Sequence, residues 1–98
     1  MFVQTTRWSF ADAGKKGQEI YDRAKPMWTT QSGFRSMSLF DIVDGPHKGQ
    51  RMVVMRWDSQ ASLDAAREKL AAEREQVNKE CEAIGLKLEE VLRLEEIV

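Results

Sequence analysis

Three tryptophans, one tyrosine and two arginines in apolar segments are the residues of this chain best suited to hold a flat ligand. Trp57 closes the apolar run RMVVMRW. There it would either stack on an aromatic ligand or anchor the helix that follows. Trp8, Tyr21 and Trp28 lie on a strand and a helix that would face one another, and so would supply further pocket wall or ordinary core. Three tryptophans in 98 residues is a rich allotment, which favours a cavity for a planar molecule. Arg7 and Arg56 fall inside strand-like runs, where an unpaired charge is costly. Facing a pocket, either could bind a carboxylate or enolate. Facing away, either could pair across strands with Asp41 or Glu90.

Other chemistry is poorly supplied. The one histidine, His47, sits between Pro46 and Lys48 in a turn-rich stretch, far from the one cysteine, Cys81. That pairing suggests no zinc or copper site and no nucleophile with its base. A single cysteine also allows no internal disulfide. No phosphate loop and no dinucleotide glycine fingerprint is present, so no cofactor is expected. The net charge of -1 argues against a general nucleic-acid or membrane-surface binder. Charge is nevertheless uneven: residues 1–58 hold nine Lys/Arg and six Asp/Glu, residues 59–98 six and ten. The usual meaning of such a run is a solvated face. No apolar run approaches the length of a membrane span, and the first ten residues lack the pattern of a secretory signal. A reducing cytoplasm is the expected setting.

The elements that must position these residues follow from periodicity. Residues 2–10 alternate, with Phe2, Trp8 and Phe10 on one face and Val3, Thr5 and Arg7 on the other, and predict a strand. Ala13, Gly17, Ile20, Tyr21, Ala24 and Trp28 then recur at helical spacing, and Pro26 should kink or end that helix. Residues 34–43 and 51–57 read as a hairpin around the turn signal 44–49. Asp58-Ser59 can cap a helix beginning near Gln60. Its stripe of Leu63, Ala66, Leu70, Val77, Cys81 and Ile84, with Arg74 bridging the gap, runs some 25 residues to a stop at Gly85. In the last segment Leu86, Leu88, Leu92, Leu94 and Val98 alternate, which predicts a strand despite the helix propensity of Leu and Glu.

The order strand, helix, strand, strand, helix, strand makes a ferredoxin-like α+β domain over residues 1–98, a four-stranded antiparallel sheet with helices on one face. Val3, Met37, Leu39, Val43, Val91 and Ile97 then need cover on the other face. A second copy of the sheet would supply it, so a homodimer is expected.

These residues carry a resemblance. Gly33-Phe34-Arg35, Asp44-Gly45, and the run Val53 to Ser59 followed by Ala61 and Leu63 are similar to the dimeric α/β-barrel superfamily, and within it to antibiotic-biosynthesis-monooxygenase-like domains. The similarity spans nearly the whole chain. It implies two protomers packed sheet to sheet, each with a pocket between its sheet and its helices. It also implies an activity drawn from cofactor-independent oxygenases of aromatic polyketides, haem-degrading enzymes or domains without chemistry. In the oxygenases an electron-rich substrate, once deprotonated, reacts with oxygen directly, and the protein supplies a dry pocket and groups that stabilise the anion. The haem-degrading branch pairs an asparagine on the first strand with a tryptophan ending the third and a histidine on the second helix. Trp57 matches that tryptophan, but Thr6 and Arg67 stand where the asparagine and the iron-binding histidine belong. Haem degradation is therefore disfavoured. What remains is a small dimeric enzyme of the oxygenase kind acting on an aromatic compound, or a non-catalytic ligand-binding or interaction domain of the same fold.

Overall fold

A computed structural model describes residues 1–10 and 14–97; Ala13 and Val98, expected on the apolar stripes of the first helix and last strand, lie outside them. Strand β1 (Phe2–Ser9) leads into α1 (Gly14–Thr29), then β2 (Phe34–Asp41), β3 (Arg51–Trp57), α2 (Gln60–Lys69), α3 (Ala71–Ala83) and β4 (Lys87–Glu95). The sheet order is β2-β3-β1-β4, and each pairing is antiparallel. This is the ferredoxin-like arrangement expected from the order of elements.

Period-two alternation sets which side chains meet the helices. On β1 these are Phe2, Gln4, Thr6 and Trp8; on β3, Arg51, Val53, Met55 and Trp57. Phe2, Trp28, Met37, Met55, Trp57, Leu63, Ala66 and Leu70 form the core, at the end of the sheet where β3 runs into α2. Trp57 and Leu63 are fully buried there. Ser59 caps α2 by accepting from the Ser62 backbone N–H. Gly33 opens β2 with φ of +83°, and its carbonyl accepts from the Asp58 N–H at 2.8 Å. A Cβ at Gly33 would sit 2.6 Å from the Ser62 Cβ, so both the left-handed backbone and the close approach require glycine.

The structure departs from the sequence reading at four places. Pro26 does not end the first helix, which continues to Thr29. Pro26 is exposed, so water can take up the carbonyl it leaves free, while buried Trp28 anchors the last turn. The long second helix is two, broken at Leu70, whose ψ of 19° departs from helical values. At the break the Arg74 guanidinium donates to the Arg67 carbonyl at 3.2 Å, a side chain entering the helix ladder. Met37, Leu39 and Val91, assigned to the uncovered face, point toward the helices instead. Finally, the leucines of the last strand do not share one face. A bulge opposite Arg7/Trp8 inserts Glu89, so Leu88 faces the helices whereas Leu92 and Leu94 face away.

The helices cover the sheet unevenly. α1 packs over β2, α2 against β3, and α3 mainly against α1 and α2. β4 is exposed along its whole length. The outer sheet face carries Phe40, Leu92 and Leu94, between two-fifths and about half exposed. Val3 lies on this face but is buried, between Arg56 and Leu94 in register. Among the described residues no helix is long and apolar enough to cross a membrane.

Candidate ligand-binding cavity

Because α3 rests on the other helices, a space is left between it and β1 and β4. It is a cavity of about 620 Å³, well inside the range of small-molecule sites. Its back wall is the helix stripe read from the sequence: Gly17, Ile20, Tyr21, Ala24 and Trp28 all line it. Its floor is the inward face of the sheet, with Gln4, Thr6 and Trp8 of β1 at the centre. Leu88 and Val91 form part of the wall yet are 45% and 43% exposed, so the cavity opens along β4.

Of the six residues singled out in the sequence, three meet here. Trp8, Tyr21 and Trp28 line the cavity together. The Trp8 indole N–H donates to Thr6 Oγ1 at 2.9 Å, which fixes the ring against the floor. Trp28 stands edge-on to Trp57, with ring centroids 6.1 Å apart. Burial, with Asp22 nearby, pushes the Tyr21 hydroxyl above its ordinary pKa, so it is a neutral donor at physiological pH.

The other three lie elsewhere. Trp57 is behind the cavity wall in the core, between Trp28 and Phe34, the latter 5.4 Å away and also edge-on. Its indole N–H is buried without a partner among the described residues. Arg7 and Arg56 alternate with the inward residues and so face outward. Arg7 donates to Gln50 and approaches Glu90 at 3.8 Å; Arg56 approaches Glu96 at 3.7 Å.

Different arginines reach the cavity. Arg51, Arg67, Arg74 and Arg93 all line it, and no Asp or Glu does so among the described residues. Arg51 is committed: it donates to Asp41 Oδ1 at 2.8 Å and to the Gly14 carbonyl at 2.6 Å, and lies over the Phe10 ring. Burial first, then the charges of Arg74 and Arg93, pull Arg67 below the usual arginine value. The sequence held a signal for two of these. Arg74 interrupts an apolar stripe, and Arg67 occupies the helix position that a haem-degrading enzyme would give to histidine. Thr6 and Arg67 do both face the cavity, so the positions align while the side chains offer iron no imidazole. Arg93 was hidden by the bulge. Cys81 also lines the cavity; burial raises its thiol pKa, which leaves it unreactive. His47 is in the exposed hairpin loop. No cluster of three His, Cys, Asp or Glu suited to a metal ion occurs among the described residues.

No protein-family model and no curated protein matches the sequence. Solved structures do match the fold. SnoaB of Streptomyces nogalater, described as a cofactor-independent oxygenase, aligns over 97% of this chain and 91% of its own, with a TM-score of 0.77 and 14% identity. A variant of MhuD, with two manganese protoporphyrin IX molecules bound per active site, aligns over 100% and 96%, with a TM-score of 0.78 and 15% identity. A protein described as an antibiotic biosynthesis monooxygenase aligns over the full length of both chains, with a TM-score of 0.69 and 15% identity. The chain thus has the fold of antibiotic-biosynthesis-monooxygenase structures, the one its short motifs resembled.

Proposed function

We propose that this chain binds a small aromatic or polyketide-like compound in the cavity between its helices and its sheet, and acts on it as a cofactor-independent monooxygenase. The observation that carries the reading is the cavity itself: about 620 Å³, walled by Trp8, Tyr21 and Trp28 and open to solvent along one strand. The fold it shares with a cofactor-independent oxygenase supports the reaction class.

In such a reaction an acidic C–H of the substrate is lost as a proton. The carbanion passes electrons to dioxygen; one oxygen atom becomes the new carbonyl, and the other leaves as water with the two hydrogens of the oxidised carbon. The chain's contribution would be modest but specific. Trp8 and Trp28 orient the ring system, the walls exclude water, and the neutral Tyr21 hydroxyl can donate to the developing enolate oxygen. No carboxylate or imidazole lines the cavity among the described residues. That absence of a strong base favours a substrate acidic enough to ionise by itself, or else the alternative of a non-catalytic ligand-binding domain.

The protein would work as a homodimer joined through the outer sheet face. Phe40, Leu92 and Leu94 are exposed there, and its arginines are already paired within the protomer, Arg7 with Glu90 and Arg56 with Glu96. Two such faces can meet without charge repulsion.

Oxygen uptake with anthrone, a tricyclic substrate with an acidic methylene, tests the activity in the presence of a chelator. The expected result is uptake at least about tenfold above the uncatalysed rate, a conservative share of what positioning and anion stabilisation supply. Filling the cavity by Ile20→Trp should remove it. Binding of anthrone without accelerated uptake would support the non-catalytic alternative. Absence of binding would contradict both.

A further inference from the structure

We infer that the ligand carries an anionic oxygen group, a carboxylate or an ionised enol, on its aromatic frame, and that Arg67, Arg74 and Arg93 hold that group. This deepens the preceding reading and rests on the cavity being the ligand site.

The three guanidinium groups come from three elements, α2, α3 and β4, and converge on one side of a largely apolar space. None makes an ion pair with a carboxylate among the described residues, in contrast to Arg7, Arg23, Arg35, Arg51 and Arg56, each of which does. Arg74 spends one donor on the Arg67 carbonyl, and the Nε of Arg93 reaches the Gln4 side-chain oxygen at 3.4 Å. An arginine has five N–H donors, so most remain available. Arg74 and Arg93 repel the Arg67 charge, and Arg67 is partly stripped of water, as its lowered pKa reflects. An anion bound between them relieves both costs, and the planar fork of arginine matches a carboxylate. The opposite side of the cavity offers Trp8, Phe10 and Arg51, whose charge is already met by Asp41, so the ligand should be polar at one end and flat and apolar at the other. The α2–α3 break contributes directly: it is the Arg67 carbonyl at this break that positions the Arg74 guanidinium.

Calorimetric titration with naphthalene-2-carboxylate and its neutral isostere naphthalene-2-carboxamide tests the inference on the intact chain. The carboxylate is expected to bind about ten- to hundredfold more tightly than the amide, the usual gain for charge-assisted hydrogen bonds. Arg67→Gln and Arg93→Gln should each cut that preference at least about fivefold, weakening the carboxylate more than the carboxamide, while unchanged circular dichroism shows that the variants fold. Arg56→Gln on the outer face should alter neither affinity. Equal binding of the two probes would overturn the inference and leave the cavity reading intact. A carboxylate preference that survives both glutamine variants would overturn the assignment of these arginines. Failure of both probes to bind would overturn the inference together with the reading it rests on.

Discussion

Replacing Trp57 by alanine is expected to cost about 3–5 kcal/mol of folding stability, the range for deleting a fully buried aromatic side chain. Trp57 has no exposed surface and belongs to the core cluster. It meets Trp28 of α1 and Phe34 of β2 edge-on, and ends the strand from which α2 departs. A domain of this size has about 5–15 kcal/mol in hand, so the variant should lose much of its stability and melt about 12–40 °C lower. Any loss of ligand binding in this variant would then follow from unfolding. Trp57→Phe separates the effects: it keeps an aromatic ring in the same place and removes the unpartnered indole N–H, a burden of about 1–3 kcal/mol. It should cost less than half as much as alanine. Thermal denaturation of both variants at one protein concentration checks this. A Trp57→Ala protein that melts within a few degrees of the parent would show that the ring is dispensable to the core.

The paired substitution Leu92→Asp and Leu94→Asp is expected to convert a dimer into folded monomers. Both leucines stand on the outer face of β4, 42% and 44% exposed in the isolated protomer. Burying a leucine side chain is worth about 1.5–3 kcal/mol, and roughly half of that remains to be gained here. A two-fold interface uses each position twice, so four half-leucines amount to about 3–6 kcal/mol. Desolvating four carboxylates in their place adds further cost. The dissociation constant should rise at least about a thousandfold. Sedimentation equilibrium should find the parent chain dimeric at micromolar concentration and the variant monomeric, with unchanged circular dichroism. A monomeric parent, or a dimer that survives both charges, would remove the proposed interface.

Much of this architecture was legible because its signals are local. The alternation of Phe2, Trp8 and Phe10 and the helical spacing of Gly17, Ile20, Tyr21, Ala24 and Trp28 follow from side-chain periodicity alone, and these residues do meet across the helix–sheet interface. The same alternation placed Arg7 and Trp8 on opposite faces, whereas the facing of Arg56 and Trp57 was left open. What was hidden depends on tertiary context. One extra residue at Glu89 reverses the faces of β4 beyond it, sending Leu92 outward and Arg93 into the cavity, and no residue type marks that bulge. The break at Leu70 has no proline or glycine to announce it; an arginine one turn later occupies the carbonyl. Trp57 and Trp8 are alike as strand aromatics, yet Trp57 is sealed by Trp28, Phe34 and the residues of α2 while Trp8 borders the space beneath α3.

The claim that the helix–sheet cavity is the ligand site is tested most directly by following the three tryptophan indole N–H signals in a proton–nitrogen NMR titration with naphthalene-2-carboxylate. The Trp8 signal, on the cavity floor, should shift saturably, as should the backbone amides of Ile20, Tyr21 and Val91, while the sealed Trp57 signal changes least. Saturable shifts confined to Phe40, Leu92 and Leu94 on the outer face, with Trp8 unmoved, would contradict it.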